Sequence, residues 1–294
     1  MAKALLIVNP SSGGEKAKTH KEMVIKKLEE LFDEVEITYT EKAGDATNFA
    51  KKAAKDGFDS VFAMGGDGTV NEAINGLAGE ENPPKFGFFP LGTVNDLARA
   101  LGIPLDLEEA VESLSLDRTR KIDIGKINEH YFMNVVAVGV IPEAVNQVTP
   151  EEKTKFGKLA YFISGFKQLG DNHSHTFHLE LDGKKQTIES STLIIGLTNS
   201  VGGFEQLLPE AEVDDNLLHL IYLKDKNFLQ TVKAVPDLLK GISETNANVG
   251  YQTFTEGKIS VAGEETVPTN VDGDEGEELP IHLTLLPAHL EVFC

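Results

Sequence analysis

Apolar and polar residues follow two rhythms along this chain, and the change of rhythm divides it. Three runs near the start, ALLIV (Ala4 to Val8), SVFAM (Ser60 to Met64) and FGFF (Phe86 to Phe89), are continuously apolar and lead straight into turns containing Gly or Pro. Strands that are apolar on both faces belong in a sheet covered on both faces, the pattern of a parallel sheet. Between them the spacing is helical: Lys16 to Leu31 sets Met23, Val24, Leu28 and Leu31 on one face, and Asp45 to Lys55 is rich in alanine and lysine. This alternation predicts a doubly wound α/β domain over residues 1–122, with ligands beyond the carboxyl ends of its strands.

Past Arg120 the period falls to two. RKIDIGKINEHYFMNVVAVGV reads as two strands about an Asn128-Glu129 turn, followed by a charged helix over Glu151 to Leu169. TFHLELDGKKQTIES carries an Asp182-Gly183 hairpin signal, and TLIIGLTNS, LLHLIYL, KISVAG and IHLTLLPAHLEVF continue the alternation, with an amphipathic helix at Phe228 to Leu239. Residues 123–294 are therefore expected to form a mostly-β sandwich domain whose last segment can return to pack on the first.

Composition narrows the function. With 294 residues, 40% of them apolar, the chain can bury two moderate cores, and a net charge of -20 argues against binding nucleic acid. Its one cysteine, Cys294, allows no intramolecular disulfide and no cysteine-based metal site, which suits a reducing cytoplasm. The opening apolar run is too short for a signal peptide and no later stretch approaches a membrane span, so any lipid is expected to be reached from the water side. Lys16, Lys18 and Lys21, with Lys153, Lys155, Lys158 and Lys167, offer a basic surface for transient contact with anionic headgroups. Exposed edges on a β domain leave room for a homodimer.

Three loops sit where a strand gives way to a helix: NPSSGG (Asn9 to Gly14), GGDGTVNE (Gly65 to Glu72) and PLGTVNDLARALGIP (Pro90 to Pro104). Their amides and helix dipoles can converge on one anion. Neither a dinucleotide fingerprint nor a P-loop is present, and no serine-hydrolase or zinc motif occurs. The middle loop poses a puzzle, because Asp67 should repel phosphate. A Mg²⁺ ion between carboxylate and phosphate turns that repulsion into attraction. Asp96 offers a second carboxylate. Among His173, His175 and His178, alternation on a strand edge points to a surface rather than a metal site.

GGDGTVNE followed by GTVNDLARALGIP resembles the diacylglycerol kinase catalytic-domain family of soluble lipid kinases, related to sphingosine kinases and, more distantly, NAD kinases. VNPSSGG, LLPEAEVDDNLL (Leu207 to Leu218) and VDGDEGEELPI (Val271 to Ile281) extend the likeness over nearly the whole chain. The resemblance implies an N-terminal ATP-binding domain, a C-terminal β-sandwich and Mg-ATP-dependent phosphorylation of a lipid hydroxyl, with diacylglycerol as the family's default acceptor. It puts ATP near Asn9, Pro10, Ser11, Ser12, Gly13, Thr40, Gly66, Asp67, Gly68, Thr69, Val70, Asn71, Glu72 and Thr93, and Mg²⁺ near Asp67 and Asp96, with Asp123 a further acid. It implies a structural Mg²⁺ on Asp215 with the carbonyls of Glu212 and Leu217, in a turn where Asn216 replaces the usual glycine. The family's D-G-E triplet reads Asp272-Gly273-Asp274 here, with Glu275 next. Asp274 is expected to be the proton acceptor, with Asp272 orienting it or helping to hold metal. An NAD kinase-like phosphotransferase and an inactive nucleotide-binding regulator are the alternatives.

Overall fold

A computed structural model of the chain describes residues 2–14, 16–139, 174–200, 208, 210–224 and 249–294. The expected helices over 151–169 and 228–239, His173 and the lysines at 153, 155, 158 and 167 lie outside the described residues. The chain forms two compact units: Met1–Ile124 with His130–Met133 and Leu286–Cys294, and Gly125–Glu129 with Asn134–Leu285.

In the first unit the order is β1 (Lys3–Val8), α1 (Lys16–Leu31), β2 (Glu34–Tyr39), α2 (Asp45–Lys55), β3 (Ser60–Gly65), α3 (Asp67–Ala78), β4 (Lys85–Pro90), α4 (Asp96–Leu101) and α5 (Leu107–Ser113). There follow β5 (Thr119–Ile127), which contains the expected 122/123 boundary, and the short β6 (His130–Phe132). The sheet runs β2-β1-β3-β4, and the end of the chain's last strand, β16 (Ile281–Phe293), adds beside β4; all four pairings are parallel. The three apolar runs are its inner strands, buried throughout because helices cover both faces. β2 is the edge, and its sequence alternates because only part of it is covered. Glu34 and Glu36 meet Lys3 Nζ at 3.4 and 2.6 Å.

Aromatic packing holds the centre: the Phe62 ring stacks on Phe293 at 5.4 Å and meets Phe89 at 6.1 Å and Phe32 at 5.6 Å. α2 buries Ala46, Ala50 and Ala53 and crosses α3 closely. A Cβ at Gly76 of α3 would lie 2.3 Å from the Thr47 carbonyl oxygen, so glycine alone allows that crossing. In β16 the backbone kinks at Ala288 (φ 48), whose N–H donates to buried Asp123 Oδ1 at 2.7 Å.

The second unit is a pair of antiparallel sheets. One joins the start of β16 to β13 (Glu256–Val261), β8 (His175–Leu181) and β9 (Lys184–Ser190). The other runs β12 (Val249–Phe254), β11 (Leu218–Leu223), β10 (Thr192–Gly196), β7 (Val135–Gly139), β14 (Thr269–Val271) and β15 (Asp274–Glu275). Phe177, Leu179 and Leu181 alternate with polar neighbours, as a half-covered strand requires. Asp182 (φ 47) and Gly183 (φ 76) make the two-residue hairpin turn, with Leu181 opposite Lys184. The α/β and β-sandwich classes thus match the reading of the pattern.

Two local readings need correction. The strand expected after the Asn128-Glu129 turn is two strands, β6 and β7. The break falls at Met133 and Asn134, beside which the N–H groups of Asn134 and Val135 donate to Asp272 Oδ1 at 3.0 and 2.8 Å. β12 and β14 were not expected, the first because a glycine interrupts its alternation, the second because it is three residues long. No helix among the described residues is long and apolar enough to cross a membrane.

Candidate functional site

The glycine-bearing loops of the first unit leave the sheet at the carboxyl ends of its parallel strands. Asn9 N–H donates to the Met64 carbonyl (3.0 Å), Thr40 N–H to Val8 (3.0 Å) and Leu91 N–H to Gly65 (2.8 Å), so neighbouring strands hand over to loops at matching depth. Asn9 then organises its own loop: Oδ1 accepts from the Ser11 N–H (3.1 Å) and hydroxyl (2.8 Å), and Nδ2 donates to Thr69 Oγ1 at 3.0 Å. Ser12 Oγ accepts the Gly66 N–H at 3.3 Å.

The acids of GGDGTVNE turn away from the helix that they begin. Asp67 stands in the first turn of α3, yet its Oδ2 accepts the Asn95 N–H at 2.9 Å and its Oδ1 the Asp96 N–H at 3.1 Å. These are amides at the start of α4, whose cap residue Asn95 makes no side-chain cap of its own. Asn95 is left-handed (φ 55) and folds back on Gly92, accepting its N–H at 2.9 Å and donating to its carbonyl at 3.0 Å. A Cβ at Gly92 would lie 2.7 Å from Asn95 Oδ1 and 2.8 Å from Asp67 Oδ2, so this packing needs glycine.

Glu72 does the same for α2. Its Oε2 accepts the Ala46 N–H at 3.1 Å, beside a cap residue, Gly44, that has no side chain to offer. Asp45 secures the loop before that helix by accepting the N–H groups of Glu41 (2.9 Å) and Lys42 (3.0 Å), and these bonds hold its carboxyl below the usual aspartate range. The result concerns α3 itself: among the described residues no side chain caps its amino end, and the carboxylate nearest that end is engaged elsewhere. An uncapped amino end presents backbone N–H groups and the positive pole of the helix to whatever anion arrives.

Two cavities flank that end. The larger, about 600 Å³, is bordered by Ser12, Gly13, His20, Gly66, Thr93 and the stretch Leu105–Glu108, among others. The smaller, about 400 Å³, takes Asn9, Ser11, Thr40, Lys42, Thr69 and Glu72. Ser12 and Gly66 line both. Of the expected nucleotide residues, Asn9, Ser11, Ser12, Gly13, Thr40, Gly66, Gly68, Thr69, Glu72 and Thr93 border one or both cavities, whereas Pro10, Asp67, Val70, Asn71 and Asp96 border neither. Val70, Asn71 and Asp96 are buried, and Asn71 Oδ1 accepts from Asn75 Nδ2 at 2.9 Å. His20, Lys42 and Leu105 went unread. Lys42, two residues past Thr40 and just beyond the end of β2, carried a signal.

In the second unit Asp215 closes its own turn. Oδ2 accepts the Glu212 N–H and Oδ1 the Leu217 N–H, both at 2.9 Å, and Asn216 takes the left-handed conformation (φ 63) that its sequence position demanded. Buried His219 stands with Nε2 2.8 Å from Asp215 Oδ2 and Nδ1 2.7 Å from the Tyr251 hydroxyl. Asp272 (φ 51) pins the following turn to β7 through the Asn134 and Val135 amides, and its own N–H donates to the Val135 carbonyl at 2.9 Å. Asp274 and Glu275 are both exposed in β15. As consecutive strand residues they face opposite ways, so one does not replace the other by a rotamer change.

The donor sets can be tested against Mg²⁺. Among the described residues no three His, Cys, Asp or Glu side chains gather to hold a metal. A nucleotide-bound magnesium ion needs only one or two carboxylates beside phosphates and waters. Each Asp67 oxygen accepts one N–H and so retains a lone pair for such an ion or its water. Asp215 fits less well: Oδ2 has two partners and Oδ1 one, leaving a single position.

Comparison with known proteins agrees with this anatomy. Residues 3–127 match the diacylglycerol kinase catalytic domain, and residues 134–294 match the YegS C-terminal NAD kinase β-sandwich-like domain. The chain is 38% identical over 293 residues to a diacylglycerol kinase of Bacillus subtilis, covering 99% of this chain and 96% of that protein. It is 36% identical over 291 residues to one from Staphylococcus carnosus, covering 99% of this chain and 94% of that protein. A crystal structure of a diacylglycerol kinase from Bacillus anthracis superposes with a TM-score of 0.82 at 27% identity, covering 99% of this chain and 96% of that one. These likenesses support a lipid kinase. From its first strand to its last, the chain belongs to the diacylglycerol kinase catalytic-domain family.

Proposed function

We propose that the protein is an ATP- and Mg²⁺-dependent kinase that phosphorylates the free hydroxyl of diacylglycerol, working in the cytoplasm and touching the membrane surface during turnover. The observation that carries this reading is the uncapped amino end of α3, opening on both cavities while Asp67 and Glu72 reach to neighbouring helices. Phosphoryl transfer depends on positioning and charge neutralisation more than on covalent help. Bound Mg-ATP supplies the transferring group and part of that neutralisation.

The chain's own residues supply the rest. Amides of Gly68 and Thr69 bind the anionic tail, and Ser12 and Asn9 fix the loop beside them. Asp67 keeps the Gly92–Asn95 loop in place and retains lone pairs toward the ion or its water. Asp274 accepts the proton of the lipid hydroxyl late in the transfer, since a carboxylate is too weak a base to remove it beforehand. Asp272 holds the turn that carries Asp274.

The test is a labelled-ATP assay with diacylglycerol in mixed micelles, with and without magnesium. Magnesium-dependent labelling of the lipid is expected. Labelled NAD in its place would make the protein an NAD kinase-like phosphotransferase, and ATP uptake with no labelled product would make it a regulator.

A further inference from the structure

Asp215 is the residue on which the family likeness puts a structural Mg²⁺, yet the turn around it is already held by donors of the protein itself. We infer that a relay from Tyr251 through His219 to Asp215 does the holding that the ion would do, so that this turn keeps its shape without magnesium. Nothing in the relay touches nucleotide or acceptor, so it stands or falls apart from the kinase reading.

Both oxygens of Asp215 are engaged. Oδ2 accepts the Glu212 N–H at 2.9 Å and faces His219 Nε2 at 2.8 Å, while Oδ1 accepts the Leu217 N–H at 2.9 Å. A carboxylate only accepts, so Nε2 carries the hydrogen; a neutral imidazole then accepts at Nδ1, and the Tyr251 hydroxyl, 2.7 Å away, donates to it. Both ring nitrogens are thereby used in a side chain that is 2% exposed. An ion seated at Oδ2 would displace that ring and strand a buried donor. At Oδ1 one lone pair remains, and carbonyls of the turn are drawn on as well: Glu212 accepts the Asp215 N–H at 3.4 Å and Asp214 the Asn216 side-chain amide at 3.1 Å. Mg²⁺ wants near-octahedral oxygens at about 2.0–2.1 Å and gives up its waters reluctantly, so this donor set suits it poorly.

The sheet anchors the relay. His219 lies in β11 two residues before Ile221, and Ile221 stands opposite Tyr251 of β12, so both rings project from one face. Their centroids are 5.9 Å apart, and Tyr251 packs against the buried cluster of Leu208, Ala211, Ile221 and Val249. Hydrogen bonds sheltered in this way are stronger than exposed ones. An ion on Asp215 and the carbonyls of Glu212 and Leu217 would join the turn only to itself, whereas the relay joins it to β11 and β12.

The experiment melts the full chain, stripped of metal with EDTA and without nucleotide, in buffer with or without millimolar magnesium. The wild type is expected to melt at the same temperature in both. His219→Leu keeps bulk but removes both nitrogens and is expected to lower the melting temperature by about 2–6 °C; His219→Gln, whose amide can still donate to Oδ2, should lose less than about half as much. Tyr251→Phe should cost about 1–3 °C alone and nothing further when combined with His219→Leu, because its hydroxyl acts through the imidazole. A wild-type rise of several degrees with magnesium would overturn the inference without any variant having to fold. So would equal losses in the two His219 variants, which would reduce the ring to packing, or an additive loss for Tyr251→Phe, which would break the relay. With no substrate present, failure of the kinase reading would leave every one of these melting temperatures where it was.

Discussion

Two acidic residues of the first unit and one of the second hold their loops over different distances. In the first unit Asp67 takes its amide partners from 28 and 29 residues away, and Glu72 from 26. In the second, Asp215 finds all three of its partners within four residues of itself. A long-range acid couples loops that the chain itself does not connect, so its loss should disturb binding and folding together. A short-range acid closes one turn, and its loss should be felt as stability alone. Asp274 is a third kind, exposed and proposed to act only on the substrate, so its loss should be felt in turnover alone.

The largest effects should separate these kinds. Asp67→Ala and Asp274→Ala are each expected to lower turnover about a hundredfold or more, the usual scale for removing a general base or an electrostatic anchor. Only Asp67→Ala should also destabilise the fold, by about 1–3 kcal/mol, because two amides at the start of α4 lose their acceptor. Denaturant midpoints measured beside kcat decide it. Equal stability for both variants would break the distinction between coupling acids and chemical ones, and full activity in Asp274→Ala would move the base to Glu275 or elsewhere.

Asp215→Ala comes next. It strips the acceptor from the Glu212 and Leu217 amides and from buried His219, and should cost about 1–3 kcal/mol with kcat per folded molecule preserved. Because the turn is closed by N–H bonds, magnesium without nucleotide should leave the melting temperature of wild type and variant alike nearly unchanged. A rise of several degrees with magnesium that Asp215→Ala abolishes would put the ion in this turn.

How much of this was legible in the sequence follows from the same distinction of range. Continuous apolar runs gave β1, β3 and β4, since burial on both faces writes itself into consecutive residues. The Asp182-Gly183 hairpin and the left-handed Asn216 were equally open to reading, being local. The edge strand β2 was passed over because its alternation of glutamate with apolar residues reflects partial cover. What sequence could not give was direction: nothing in GGDGTVNE says that Asp67 points toward Asn95 and Asp96 rather than into its own helix. The cavity walls at His20 and Leu105 share that difficulty, as positions brought in by packing.

The smallest expected effect compares one carboxylate from each unit under acid. Burial works against the Asp182 carboxylate, but the Thr255 and Glu256 N–H groups (both 3.0 Å) and the Thr255 hydroxyl (2.9 Å) outweigh it and hold the carboxyl below its ordinary value. Glu291 is held low chiefly by its bond to Lys85, at 2.9 Å, and then by Thr119 at 2.7 Å. A carboxyl whose folded pKa is depressed adds stability above its unfolded value, about 4 for either type, and loses it as pH falls through the lower folded value. Asp182→Asn and Glu291→Gln should therefore each lower the melting temperature at neutral pH by about a degree or two, the modest scale of exposed pairs. The deficit should shrink toward zero as pH falls through the depressed folded value. The two variants differ in what opposes acid: Glu291 relies on a lysine, so added salt should reduce its deficit, whereas Asp182 relies on backbone amides and should be nearly indifferent to salt. A deficit that grows as pH falls would reverse the sign for that residue, and a salt response shared by both would erase the difference between charge pairing and backbone capture as ways of holding an acid.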